Sequence, residues 1–249
     1  MSEYRALFEA RGARYNRANR LFPAARAEEA ERLFGHLRIG SGQLWLDVAA
    51  GGGFLADRAA VRGCPGIAVG CDESAVFLAD SRSYALRTVA GYERLPFPDR
   101  VFAAAGCLAA LHHAEAPAIL IAEMLRVTAA GGRVALGDVA AGSRAAAFLN
   151  EFVDTHTQMG HAGRFYDSST FLGFLESAGS CDPRAAQEQI HWSFDSRSDA
   201  RNFCRELFGL NPETQEPNLD RALATLGLAD SGGRWLLPWD MVFASAAAR

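Results

Sequence analysis

The chain, 249 residues long, predicts an α/β fold: a Rossmann-like, doubly wound sheet. Three observations carry that expectation. Residues 44–48, Leu-Trp-Leu-Asp-Val, form an apolar run with the length and flanks of a strand buried on both faces. Three consecutive glycines follow, Gly51, Gly52 and Gly53, and then a segment, 54–62, that reads as a helix. Strand, glycine turn and helix make the first unit of a doubly wound sheet, and that turn borders the ligand crevice. Further along, apolar strands at 67–70, 87–90, 101–107 and 133–138 alternate with helical segments, as parallel sheets require.

The turn also points to a ligand class. Gly51, Gly53 and Ala56 fit the dinucleotide pattern G-x-G-x-x-A, with Asp72 about 20 residues on, where a ribose-binding acid belongs. Asp47, four positions before Gly51, argues against a dinucleotide, because its carboxylate would face a pyrophosphate across a crevice of low dielectric. The same carboxylate suits a ligand with an ammonium and a sulfonium. S-adenosylmethionine has both, plus a carboxylate for the free N–H groups of the turn and a ribose for Asp72.

Composition narrows the class further. The formal charge of −4 gives no reason to expect nucleic acid or an anionic membrane as a partner. All 25 basic residues are arginine, which excludes a P-loop lysine, a Schiff-base lysine and a pyridoxal phosphate anchor. The five cysteines (64, 71, 107, 181 and 204) form no C-x-x-C pair and read as reduced thiols in a cytoplasmic protein. The N-terminal residues lack the apolar core of a signal peptide, and the longest apolar run, 101–111, is too short for a bilayer.

Several motifs in order carry a family resemblance. Leu46-Asp47-Val48-Ala49-Ala50-Gly51-Gly52-Gly53 resembles the first motif of class I S-adenosylmethionine-dependent methyltransferases, D-x-[GA]-x-G-x-G. Val69-Gly70-Cys71-Asp72-Glu73-Ser74 resembles the second, whose acid binds the ribose hydroxyls. The segment 93–99, the pair His112-His113 after Leu111, and 123–127 through Gly131-Gly132-Arg133 complete the series. The resemblance implies a seven-stranded, mostly parallel sheet with an antiparallel last strand. It also implies a cofactor site drawing on Tyr15, Asp47, Ala49, Gly51, Gly53, Asp72, Glu73, Tyr92, Glu93 and Cys107.

Taken in order, residues 1–40 read as a helical lid of two helices, 3–14 and 26–37, the second started by Pro23. The arginine-rich join between them, 14–21, resembles the Y-D-x-x-N segment of quinone-biosynthesis C-methyltransferases, which helps cover the cofactor and implies that role for Tyr15. Residues 41–140 form the core, with Ser74 capping the helix after the second strand and a helix at 116–126. Glu123 and Arg126 are spaced for an i,i+3 pair, and 128–132 reads as the turn into the fifth strand.

Two departures from the family stand in this core. Gly91 occupies the place of the acid that accepts from the adenine amino group, with the Tyr92 N–H and the Glu93 carboxylate close by. Ala103 replaces the aspartate of a usual Phe-Asp pair. Each omits a hydrogen bond worth roughly 1 kcal/mol.

Residues 141–249 complete the sheet. A helix is expected at 145–157, a loop at 159–166, and a helix capped by Ser168, Ser169 or Thr170 and ending at Gly179. Alternation over 187–194 and an apolar run at 239–246 predict the last two strands. Between them, about 195–237, lie two helices near 199–207 and 219–226, read as a cap over a substrate pocket.

Methyl transfer is an in-line displacement that asks the protein to align groups and exclude water, with a base where the acceptor is a hydroxyl or carbon acid. His113, at the end of the fourth strand, is the first candidate base. His161, on the loop, is the second, with Tyr166 and Asp138 behind it. The alternative for each is a hydrogen-bonded structural imidazole. Asp138 has no evident partner for a metal site, so no metal is expected. Phe148, Phe152, Trp192, Phe194, Phe203, Phe208 and Trp235 either line a pocket for a planar substrate or fill the core.

The expected activity is methylation of a small aromatic or polyketide-like metabolite at oxygen or carbon. Two alternatives stay open: a cofactor-binding protein that no longer transfers methyl, and an NAD-dependent oxidoreductase. A homodimer stays open as well.

Overall fold

The computed structural model describes residues 3–64, 66–161 and 163–249. Its centre is one sheet with strand order β3-β2-β1-β4-β5-β8-β6, in which β8 runs antiparallel to both β5 and β6. The strands are β1 (Leu44–Val48), β2 (Ile67–Asp72), β3 (Leu86–Val89), β4 (Phe102–Leu108), β5 (Thr128–Val139), β6 (Cys181–Phe194) and β8 (Arg234–Ala247). A three-residue β7 (Ala229–Ser231) pairs with β8 and makes an eighth strand where seven are expected. Neighbours β1, β2, β3, β4 and β5 are all parallel, so their C-terminal ends share one edge.

The central strands are buried on both faces, as expected of β1, whose apolar run only Asp47 interrupts. Trp45 packs into one core with Leu33, Phe34 and Leu37 of α2 (Ala27–Leu37). Leu46 and Val48 pack into the other with Leu120, Ile121 and Met124 of α5 (Pro117–Val127). α3 (Phe54–Arg62) follows the glycine turn over the expected residues, and Ser74 caps α4 (Ala75–Ala79) by accepting from the Phe77 N–H at 3.1 Å. Glu123 and Arg126 pair at 2.7 Å, and Arg126 also donates to the carbonyls of Leu95 and Phe97, tying α5 to the segment before β4.

The chain differs from expectation in four further places. The arginine-rich join does not break the first helix: α1 runs Glu3–Leu21 in one piece, because Arg14 reaches α8 (Arg197–Leu207) and the chain beyond it, donating to the carbonyls of Arg205 and Leu210. The expected helix at 145–157 is a short α6 (Arg144–Ala147) running into a π-helical turn, Phe148–Val153. Asp167, not a following hydroxyl, caps α7 (Ser168–Ser177), its carboxylate accepting from the Thr170 N–H at 2.8 Å. Residues 128–132 extend β5 instead of forming a separate turn, with an irregularity in the pairing between Phe102 and Ala104. The two helices of the insertion, α8 and α9 (Glu216–Leu226), form close to where the spacing places them. Ala162, inside the expected loop, lies outside the described residues. No helix among the described residues is long and apolar enough to cross a membrane.

Candidate active site

The sheet edge where β1, β2 and β4 end is the crevice that the glycine turn predicts. Strand alternation puts Asp47 on the same face as Trp45, with its neighbour across β2 being Gly70. Gly70 has a purpose there: a β-carbon on it would stand 2.7 Å from the Tyr84 ring, and that ring lies over the strand so that the Tyr84 hydroxyl donates to Asp47. Burial, partly offset by that hydrogen bond, pushes the Asp47 carboxyl up to about 7, and Asp72 nearby adds to the rise. A buried carboxyl at that value is neutral below neutrality and ionises readily when a cation arrives.

The turn itself is set by Asp72. Its two oxygens accept from the Gly51 N–H and the Ser74 N–H, each at 2.9 Å, so one carboxylate pins the glycine turn of β1 to the end of β2. Ala49, at the first glycine position of the motif, adopts φ +60°, a left-handed conformation that costs an alanine roughly 1 kcal/mol. Gly51 has φ +51°, and a β-carbon there would lie 2.7 Å from the Phe77 ring.

Phe77 is the ring that covers the turn. Phe8 of α1 stacks on it at 4.5 Å, and Tyr15 meets both rings edge-on. Beneath this aromatic cover lies a cavity of about 30 Å³ bordered by Asp47, Ala49, Gly51, Phe54 and Ala109, the volume of about one water molecule. A second small cavity, bordered by Glu73, Tyr92, Glu93 and His113, lies at the ends of β2 and β3, where the adenine side is expected.

A third cavity, of about 50 Å³, opens on the other side of the cover. Its walls are Leu149, Trp192, Leu207, Phe208 and Trp239, with His112, His113 and His161 at one end. Phe8, Tyr15, Arg26 and Ala109 line both this cavity and the one over the glycine turn. Arg26 is itself buried. It donates to Tyr15 and, at 2.7 Å, to Glu29, which also accepts from the Trp192 indole at 3.0 Å. Burial works against the Arg26 charge, but Glu29 and Tyr15 outweigh it and hold the guanidinium protonated. The larger groove of about 650 Å³ is a different place, an open surface between α1 and α3 rimmed by Arg20, Arg58 and Arg82.

At the histidine end the two expected bases are present, but the carboxylate serves a third ring. Asp138 accepts from His112, at 2.7 Å from the ring Nδ1 and 2.9 Å from the backbone N–H. A carboxylate in that position makes Nδ1 the protonated nitrogen and leaves Nε2 as an acceptor. His113 is held well below its ordinary value by burial and by His112 and His161, and burial first, then His112, lowers His161 to about 3. Both are neutral imidazoles and weak bases as they stand. Tyr166 is not behind His161: it packs edge-on against Phe171 and Phe174, while Phe165 lies near His112 and His161.

The remaining sequence-predicted residues divide cleanly. Tyr15, Asp47, Ala49 and Gly51 border one cavity, and Glu73, Tyr92 and Glu93 another. Cys107 borders none of these cavities; it is buried in the core with its thiol pushed far up by burial. Gly53 stands behind the turn, where a β-carbon would meet Ser81 Oγ at 2.6 Å. Sequence reasoning missed His112, Phe8, Phe77 and Arg26. The first was within reach: β4 and β5 are adjacent parallel strands, so the His pair and Asp138 just past their paired ends must meet.

The groups at this edge suit S-adenosylmethionine: an ionisable carboxyl for an ammonium, and acids at the ends of β2 and β3. Residues 46–136 match the model of a family described as a methyltransferase domain. Over residues 46–136 the chain carries a methyltransferase domain. The protein is accordingly a methyltransferase, with S-adenosylmethionine as its cofactor. No curated protein matches it.

Solved structures share the methyltransferase's fold at low identity. A Bacillus halodurans C-125 protein assigned to the methyltransferases is 22% identical, with 88% of this chain and 98% of that chain covered and a TM-score of 0.63. A Haloferax volcanii protein seen in complex with the Trm112 methyltransferase activator is 17% identical over 98% of this chain and 96% of that one, at 0.65. The geranyl diphosphate C-methyltransferase of Streptomyces coelicolor A3(2) is 15% identical over 90% and 79%, at 0.57.

Proposed function

We propose that this methyltransferase transfers methyl to an oxygen or carbon nucleophile of a small, largely apolar acceptor of aromatic or polyketide-like shape, in the cytoplasm. The observation that carries the reading is the shared wall. Phe8, Tyr15, Arg26 and Ala109 line both the crevice over the glycine turn and the cavity of Trp192, Phe208 and Trp239, so the two adjoin. Donor and acceptor sites that adjoin in this way meet the need of an in-line displacement for two groups held end to end with water excluded.

When bound, S-adenosylmethionine supplies a methyl group on a positively charged sulfur. Asp47, once ionised, holds the ammonium; the backbone of Gly51 and Gly52 approaches the amino-acid tail; Asp72 and Glu73 take the sugar. Glu93 compensates for the missing acid at Gly91, since its Oε2 lies 3.4 Å from where a Gly91 β-carbon would stand, with Glu73 Oε1 at 3.7 Å. Ala103 is no loss to the cofactor. It is the second residue of β4, and the crevice lies at that strand's other end, roughly 16 Å away at about 3.3 Å per residue.

On the acceptor side, the apolar walls favour a flat carbon skeleton, and the imidazole end orients its polar atom. α8 and the residues after it form the cap, with Leu207 and Phe208 in the cavity wall. The five cysteines, all unpaired, support a reducing compartment. The Streptomyces relative is described in complex with geranyl diphosphate and S-adenosylhomocysteine, a small acceptor in the same fold. Incubation with methyl-labelled S-adenosylmethionine and a panel of phenols, enols and polyketide-like acids tests the reading. Label in an acceptor, lost in Asp47→Asn, is expected. Cofactor binding with no labelled acceptor would place the protein in the non-methylating class instead.

A further inference from the structure

We propose that His112, His113 and His161 bind a divalent transition-metal ion of the zinc class in the wall of the acceptor cavity. The three rings arrive from two distant segments: His112 and His113 from the 3-10 turn Leu111–His113 after β4, and His161 from the loop after the π-helical turn. Each offers a nitrogen, and these nitrogens all lie within 4.8 Å of one another. The ring centroids are 4.1, 5.4 and 5.2 Å apart. An ion bonded at about 2.0–2.1 Å needs nitrogens roughly 3–3.5 Å apart, so the rings close by about an ångström on binding.

The support around the cluster is what a metal site requires. Metal-bound histidines typically donate their other ring nitrogen to a carboxylate or carbonyl, which fixes the ring and its tautomer. His112 has this from Asp138, whose Oδ1 also accepts from the Val139 N–H at 2.7 Å and is therefore itself held. His161 Nδ1 lies 3.2 Å from Asn150 Oδ1, and Asn150 is clamped by Gly163, accepting from its N–H at 2.9 Å and donating to its carbonyl at 2.8 Å. Gly163 closes over both rings: a β-carbon there would stand 2.8 Å from His161 Cε1 and 3.1 Å from His112 Cδ2. Two remote loops are tied to one another around three converging nitrogens. A single hydrogen-bonded base needs none of the other two rings.

The donor set selects the ion. Three imidazoles with neither carboxylate nor thiolate favour zinc, cobalt, nickel, copper or iron(II) over magnesium and calcium. Three protein ligands also leave coordination positions open, the pattern of working sites as opposed to structural ones. Here those positions face the cavity of Trp192, Phe208 and Trp239. On the reading proposed above, an acceptor oxygen takes one of them, and coordination favours its ionised form. The metal site itself does not depend on that reading.

Cobalt(II) and zinc(II), added singly to the full chain after chelator treatment, test the proposal. One cobalt per chain is expected, with the visible absorption of a four- or five-coordinate ion, displaced one-for-one by zinc. His112→Ala and His161→Ala each remove the band, and Asp138→Asn weakens binding by about 10–100-fold. Cys181→Ser, at the exposed cysteine, leaves it unchanged. X-ray absorption at the zinc edge of the unmodified protein needs no variant, and three imidazoles with no sulfur are expected. Sulfur ligation, binding insensitive to both histidine substitutions, or no stoichiometric cobalt overturns the site. S-adenosylhomocysteine binding is measured on the same samples. Its presence without cobalt removes the metal site and leaves the methyltransferase reading whole; cobalt without it does the reverse.

Discussion

Phe8 lies flat on Phe77, ring centroids 4.5 Å apart and planes within 3°, over the turn that the cofactor must approach. Gly12 and Asn16 hold the same contact from below. A Gly12 β-carbon would meet the Phe77 ring at 3.1 Å, and Asn16 donates to the Phe77 carbonyl at 3.0 Å. The first helix thus packs over the turn, and a cofactor entering there competes with an aromatic stack. When only a fraction of molecules is open, the apparent dissociation constant rises by the inverse of that fraction. Phe8→Ala is expected to tighten S-adenosylhomocysteine binding by about tenfold in calorimetry. Unchanged or weaker binding would show that the stack does not oppose the ligand.

Asp47 makes cofactor binding and stability depend on pH in opposite ways. Its carboxyl ionises at about 7 in the fold against 3.8 ordinarily. Between those values the unfolded chain has lost the proton and the folded chain keeps it, so stability falls as pH rises from about 4 to about 7 and is then flat. The loss is at most about 4 kcal/mol. Asp47→Asn should flatten this stretch in urea unfolding. A cofactor ammonium needs the ionised form, so binding should weaken about tenfold per unit below pH 7, with one proton released. Affinity independent of pH between 5 and 7 would contradict the pairing.

In the proposed function Glu93 stands in for the acid absent at Gly91. Glu93→Ala is expected to weaken S-adenosylhomocysteine by about tenfold, and Gly91→Asp added to it should restore most of the loss, at about 1–1.5 kcal/mol for a hydrogen bond to the adenine amine. Gly91 is exposed and is not among the residues of positive φ, so the substitution fits the backbone. A double variant no better than the single one would assign the adenine to another group.

Glu29 neutralises the one buried arginine between the two sites. Glu29→Gln leaves Arg26 without a counter-charge while keeping an acceptor for Trp192, and should cost about 3–5 kcal/mol in urea unfolding. A loss under about 1 kcal/mol, the range of exposed pairs, would mean that water reaches Arg26.

The regular parts of this fold were legible because local signals agreed. β1 and α3 fall on the residues that the apolar run and the glycine turn indicate, and Ser74 caps α4 as its position suggests. What local signals missed was decided by tertiary partners. The arginines of α1 read as a solvated join until Arg14 is seen reaching the chain around α8. Aromatic positions at helical or alternating spacing do not reveal which of them face a cavity: Trp192 and Phe208 line one, while Phe194 and Phe203 are core. Cys107 fell on a strand approaching the crevice, yet the strand's alternation turned it inward. Phe8 and Phe77 carry no motif, and neither spacing nor composition indicates that they meet over Gly51.

Cofactor recognition turns on one placement: the amino-acid tail beside Asp47, with the sugar at Asp72. A crystal structure with S-adenosylhomocysteine measures it directly. The predicted result is the ligand ammonium within hydrogen-bond distance of Asp47, the ribose hydroxyls at the end of β2, and Phe8 moved off Phe77. Ligand density away from the glycine turn, or the ligand in place with the Phe8–Phe77 stack intact, would contradict it.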